Sequence, residues 1–101
     1  MRIRQVALVA ADLEPALATL CDVLGVEVCY RDPGVATFGL VNGVMAVGDT
    51  FLEVVSPAKP GTSAGRLLER RGGDGGYMVI LQTADLEEER RRVKELRVRV
   101  A

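Results

Sequence analysis

Two stretches of this sequence repeat each other where a strand turns into a helix, and that repetition restricts the fold more than any other feature. Gln5-Val6-Ala7-Leu8-Val9-Ala10-Ala11-Asp12-Leu13-Glu14 lies over Met78-Val79-Ile80-Leu81-Gln82-Thr83-Ala84-Asp85-Leu86-Glu87 without a gap, and both stretches end on Ala-Asp-Leu-Glu. Each begins as an apolar run of strand composition and ends on an aspartate placed to cap a helix. Any capped strand-to-helix corner shares part of this pattern, so the alignment alone leaves duplication open. The matched order of strand, cap, helix and strand on both sides supports it. An α+β fold is expected, built from two strand-helix-strand units of which the second is incomplete.

Ile3 to Ala10 reads as a central strand covered on both faces, because it is almost continuously apolar apart from Arg4 and Gln5. Asp12 caps the following helix, Pro15 falls in its first turn, Leu13, Leu17, Leu20 and Leu24 share one stripe, and Gly25 supplies the left-handed stop. Val26 to Tyr30 predicts a second strand, closed by the turn signal Asp32-Pro33-Gly34. Two more strands are expected between Val35 and Val55, with turns at Asn42-Gly43 and Gly48-Asp49. Ser63 to Arg71 predicts a short helix, and Gly72 to Gly76 a flexible hinge. A strand at Tyr77 to Thr83, a helix capped by Asp85 and a last strand at Arg97 to Val100 complete the reading. The organisation expected is one domain over 1–101: a first module over about 1–57, a linker and short helix over 58–76, and a partial second module over 77–101.

A chain of 101 residues with 49% hydrophobic content can bury one modest core. Thirteen Lys and Arg stand against fourteen Asp and Glu, so there is no broad field to draw nucleic acid or an anionic membrane. Two Tyr, two Phe and no Trp supply no platform for stacked bases. No apolar run approaches the roughly 20 residues of a membrane span, and Met1 to Gln5 lacks the apolar core of a signal peptide. The cytoplasm is therefore the expected location, and Cys21 and Cys29 read there as reduced, buried thiols. The chain has no histidine, which excludes Ser-His and Cys-His nucleophile pairs, His-rich zinc sites and the two-His, one-carboxylate iron site within it. Carboxylates, amides, Tyr, Lys, Cys or a metal held by oxygen remain available for chemistry.

Strand alternation places Gln5 on one face with Ile3, Ala7 and Val9, and Glu53 on one face with Phe51 and Val55. An acidic residue within Phe51-Leu52-Glu53-Val54-Val55 is costly unless it is solvated, paired or metal-bound. Glu53 is thus the first candidate for function, with a carboxylate on the wet face of an antiparallel sheet as the competing reading. Gln5, taken alone, reads as structural. Arg66, Arg70 and Arg71 lie beside glycine-rich backbone that could receive an anion, but no Gly-Lys-Ser/Thr ending follows, so they read as a solvated helix end. Glu87 to Glu89 before Arg90 to Arg92 and Lys94 predict an exposed helix face with Glu87–Arg91 and Glu88–Arg92 pairs.

These residues together resemble the vicinal oxygen chelate superfamily, the glyoxalase and bleomycin-resistance fold, over nearly the whole chain. The resemblance rests on Gln5 to Val9 leading into Asp12-Leu13, on Val23-Leu24-Gly25, on Asp49 to Val55 followed by Ser56-Pro57, and on Gly76 to Val79 leading into Asp85-Leu86. It implies one βαβββ module plus an incomplete second module (βαβ), forming a curved mixed sheet with helices on its outer face. By the resemblance Gln5 and Glu53 would be metal ligands, and Glu53 would also be the catalytic proton carrier. The third ligand position falls on Met78, a poor donor for hard divalent ions. The fourth would come from a strand that the chain does not contain.

The functions implied are a divalent-metal-dependent lyase or isomerase acting on a small carbonyl compound, or a metal-free module that binds a small ligand, as bleomycin-resistance proteins do. The metal (Zn, Ni, Mn, Mg or Fe) and its absence are both open. Outside the superfamily, an ACT-like regulatory module also repeats strand-helix-strand units, and four strands in the first module would count against it. The partner expected is a small-molecule ligand, with a second copy in a homodimer, or downstream sequence, to complete the sheet. Neither nucleic acid nor a membrane is expected.

Overall fold

The computed structural model describes residues 1–101. β1 (Arg2–Val9) and α1 (Leu13–Leu24) are followed by β2 (Val28–Tyr30), a 3-10 segment (Pro33–Phe38), β3 (Leu40–Val47), β4 (Thr50–Pro57), α2 (Ser63–Arg71), β5 (Gly75–Gln82) and α3 (Leu86–Glu95). The strands form one curved, open, mixed sheet in the order β2-β3-β4-β1-β5. β1 runs parallel to β4 and antiparallel to β5. The four strands β1 to β4 around α1 give the βαβββ module and count against the strand-helix-strand unit of an ACT-like domain.

The sequence repeat reappears in the strand register. Across β1 and β5, Gln5 faces Ile80, Val6 faces Val79 and Ala7 faces Met78. Val6 and Val79 are equivalent positions of the two copies, so the copies meet about a local two-fold axis at that pair.

The sheet buries a cluster on each side. α1 covers the outer face, where Ala10, Leu17, Met45 and Val54 pack together. Leu17 lies directly on Gly43, where an added Cβ would come within 2.6 Å of the leucine's Cδ1. On the inner face Val9, Leu40, Val55 and Ala64 form the second cluster, with Tyr77 against it. α2 therefore closes one end of the inner face, and α1 covers the outer cluster.

Several local expectations are corrected. Asn42-Gly43 is no turn: both residues lie inside β3, since the bare Gly43 backbone admits Leu17 and the Asn42 side chain is fully engaged in the interior. The turn that does form is Gly48-Asp49, with Gly48 at φ 60°. Val35 begins no strand, because Pro33 to Phe38 winds into the 3-10 segment started by the Asp32 side chain accepting from the Gly34 N–H. β1 is covered on both faces only toward its end, where Val9 is buried on the inner face and Ala10, just past it, on the outer, whereas Ile3 is exposed. The Gly-rich hinge is tethered, as Asp74 Oδ1 accepts the Ala11 N–H at 2.8 Å. Cys21 is half-buried and Cys29 exposed, both as free thiols.

No strand forms at Arg97 to Val100; the chain bends back there, with Arg97 at φ 59° and the Val98 N–H bonded to Val93. Topology supplies the reason. β2, the strand after α1, is held by β3 alone, and within residues 96–101 there is no strand for Arg97 to Val100 to pair with. The ion pairs of α3 also differ from those expected: Arg91 joins Glu88 and Glu95, and Arg92 joins Glu89.

Candidate functional site

The inner face brings the two predicted polar residues into contact. Row by row across the sheet, Val44, Glu53, Ala7 and Met78 stand opposite one another on β3, β4, β1 and β5. Gln5 belongs to the adjacent row with Phe51, and its side chain reaches diagonally so that Nε2 donates to Glu53 Oε1 at 2.7 Å. Diagonal reach of this kind is within the length of an extended amide side chain on one sheet face. Parallel pairing of β1 with β4 sets the register that makes the contact.

Sequence reasoning missed the third member, Asn42. Its Nδ2 donates to Glu53 Oε2 at 2.5 Å, and its Oδ1 accepts the Asp32 N–H at 2.8 Å. The Asp32 turn thereby fixes the orientation of the amide that grips the carboxylate. The available signal was alternation: Asn42 shares a face with Leu40 and Val44 once β3 is read through it.

Glu53 is 8% exposed and Asn42 is 4% exposed, yet no Arg or Lys forms an ion pair with the carboxylate. A buried carboxylate without a cation depends on hydrogen bonds to offset its desolvation. Here two amides from neighbouring strands supply them, and no buried polar side-chain atom is left without a partner. Glu53 lies between two open hollows. One, of about 550 Å3, runs beneath α2 past Val55, Tyr77 and Met78, with Lys59 and Arg66 at its rim. The other, of about 340 Å3, lies by Arg4, Tyr30 and Phe51, where the Arg4 guanidinium sits 4.6 Å from the Phe51 ring centre.

A larger hollow of about 710 Å3 borders the start of α1 and the Asp32 turn. Among its charged groups, Arg31 is paired to Glu14 at 2.6 Å and the Glu14 carboxyl is held below its usual range chiefly by that hydrogen bond. Arg2 and Asp49 pair in the same way at the sheet's far corner. Of the basic cluster, Arg66 donates to Gly61 and Ser63, and Arg71 to Gly76. The Gln5, Glu53 and Asn42 group is the place where polar chemistry meets an apolar hollow.

The group does not fit a divalent ion unaided. Hard cations such as Ca2+ and Mg2+ take six or more oxygen ligands, and zinc takes three or four nitrogen, sulfur or carboxylate donors from the protein. No three Cys, Asp or Glu side chains converge anywhere in the chain, and both Glu53 oxygens already accept amide N–H groups. Met78 faces Ala7 in the Glu53 row, where it offers only a thioether.

A family model described as a glyoxalase-like domain matches residues 6–100. None of the curated proteins compared with the chain matches it. Among solved structures, the fold is similar to methylmalonyl-CoA epimerase from Mycobacterium tuberculosis (TM-score 0.86, 22% identity, 97% of this chain and 65% of that one). It is also similar to Streptomyces coelicolor methylmalonyl-CoA epimerase in complex with 2-nitronate-propionyl-CoA (TM-score 0.84, 19% identity, 98% and 72%). A hypothetical protein from Bacillus halodurans C-125 is similar as well (TM-score 0.85, 15% identity, 94% and 67%). At these identities the likeness shows the fold. The chain spans about 65% of the length of the mycobacterial enzyme. No helix is long and apolar enough to cross a membrane.

Proposed function

The chain belongs to the glyoxalase-like domain family of the vicinal oxygen chelate superfamily, and from that premise we propose that it carries an isomerase- or lyase-type centre for a small carbonyl compound. Glu53 is the proton carrier. The observation that carries this reading is a buried carboxylate, held by two amides and by no cation, at the junction of two hollows. A substrate carbonyl would lie over Ala7, the one small side chain in the Glu53 row, with its apolar part against Val55 and Tyr77. Glu53 would then take the proton from the carbon beside the carbonyl, and return it there or to the neighbouring atom. Gln5 and Asn42 hold the carboxylate in place and keep water from replacing the substrate. Epimerases among the structural neighbours are named for a reaction that inverts one carbon centre, which agrees with proton removal and return.

A divalent metal enters this reading only with donors from outside residues 1–101, joining Gln5 Oε1 and Glu53. The metal-free binding module is the second reading, favoured by Met78 in the third ligand position. Exchange of carbon-bound protons into deuterated water, followed by proton NMR on a panel of short 2-oxo acids and acyl thioesters, tests the proposal. Exchange that is lost in a folded Glu53→Gln variant supports it. Saturable binding with no exchange, in protein purified without chelators and resupplied with divalent metals, would leave the binding module.

A further inference from the structure

The pairing of β1 with β5 is interrupted twice, and each interruption turns a polar side chain toward the inner face. At the first, Ile3 faces Leu81 and Gln5 faces Ile80, so Arg4 is an extra residue on β1, and its guanidinium lies over Phe51. At the second, Ala7 faces Met78 and Leu8 faces Gly76, so Tyr77 is an extra residue on β5. In a regular strand Tyr77 and Met78 would point to opposite faces. With the bulge, both line the hollow beside Glu53.

The two interruptions differ in what they leave free. Arg4 is engaged by the Phe51 ring and by the Asp49 carbonyl. Tyr77 rests its ring on Val9, Leu40, Val55 and Ala64, but its hydroxyl has no hydrogen-bond partner in the chain. Every buried polar side-chain atom has a partner, so this unpartnered hydroxyl opens onto the hollow.

Proton removal beside a carbonyl sends the C–H electron pair into a carbon–carbon double bond and the carbonyl pair onto oxygen, which becomes an enolate. Glu53 takes the proton but offers nothing to that oxygen, and Gln5 Nε2 and Asn42 Nδ2 are turned to the carboxylate. Glu53 and the bulge at Tyr77 stand on β4 and β5, two strand spacings or roughly 10 Å apart, with the small Ala7 of β1 between them. A planar carbonyl group over Ala7 thus has the carboxylate on one side and the phenol on the other. Lys59 and Arg66 also carry donors, but on the loop and helix at the rim, where Lys59 lies against Gly39.

We propose that the Tyr77 hydroxyl is the hydrogen-bond donor that stabilises the enolate oxygen. The phenol keeps its own proton, and the enolate's electron pair returns to carbon as Glu53 gives back the proton it took. This inference rests on Glu53 as the proton carrier and supplies the electrophilic partner which that reaction needs.

Oxalate, a planar mimic of the enolate of a 2-oxo acid, is the probe. The chain has two tyrosines, so carbon-13 labelling at Cζ gives two signals, assigned with Tyr30→Phe. Oxalate is expected to shift the Tyr77 signal, and Tyr77→Phe, which keeps the packed ring, to weaken oxalate roughly tenfold or more. In the deuterium-exchange assay the same variant should lower kcat about a hundredfold and change KM little, because the hydrogen bond strengthens as charge reaches the oxygen. Thermal melts check that the variant stays folded. A parent chain that binds no oxalate overturns the proposal, as does a kcat that falls in Lys59→Met and not in Tyr77→Phe. Exchange lost in Glu53→Gln but unchanged in Tyr77→Phe refutes the phenol and keeps the proton carrier. Oxalate held through Tyr77, with no exchange in any substrate, supports the oxyanion site and refutes the proton carrier.

Discussion

The same strand-to-helix corner occurs twice in this molecule and ends in opposite situations. At the first, β1 leads into α1, Leu17 is 2% exposed, and the helix seals the outer face over Gly43. At the second, β5 leads into α3 through the same Ala-Asp-Leu-Glu, and no residue of the helix is buried. The Asp85 side chain even makes the capping bond, to the Glu88 N–H at 3.0 Å, that Asp12 does not make. Local helix signals therefore specify both corners, but only the strands that follow the first give its helix something to cover. Packing rather than propensity separates the two.

That contrast can be broken or sharpened by matched substitutions. The largest effect is expected at Leu17→Ala, which should destabilise the fold by about 2–5 kcal/mol in urea unfolding, while Leu86→Ala at the second corner should stay within about 0.5 kcal/mol. Equal costs would mean that α3 is packed as α1 is. Next comes Gly43→Ala, where the new methyl meets Leu17 at 2.6 Å and overpacking should cost about 1–3 kcal/mol. Gly76→Ala on β5 meets nothing within 4 Å and should change little. Smaller again is the pair of helix ends. Gly25→Ala, at φ 67°, should lose about 1 kcal/mol, and Arg97→Gly, relieving φ 59°, should gain a similar amount in thermal unfolding.

The positions of β4 and β5 (to within about two residues), the span of α2 and the shared face of Gln5 and Glu53 are legible, because alternation forces residues of one parity onto one face. Asn42 was hidden for a physical reason. Asn-Gly is the strongest short hairpin signal, and the space needed by Leu17, distant in sequence but adjacent in space, goes with Gly43 lying within a strand. Arg97 to Val100 carries strand composition but pairs with no strand within residues 1–101, so tertiary context outweighs β-propensity there.

The smallest expected effect is electrostatic. Glu14 is held below its usual range by the Arg31 hydrogen bond, so its folded value lies under its unfolded one. The pair's contribution is therefore complete above about pH 4.3 and is lost as pH falls through the lowered value. Thermal melts of Glu14→Gln should fall slightly below the parent at neutral pH and coincide with it in strong acid. Both partners are exposed, so added salt should shrink even this difference.

The account turns on the Glu53 carboxylate being gripped by Gln5 and Asn42, and side-chain amide exchange in the NMR spectrum reads that grip directly. Slow exchange of both side-chain NH2 groups, accelerated together in a folded Glu53→Leu variant, is the predicted result. Fast exchange of either group in the parent chain, or rates that the variant leaves unchanged, would contradict it.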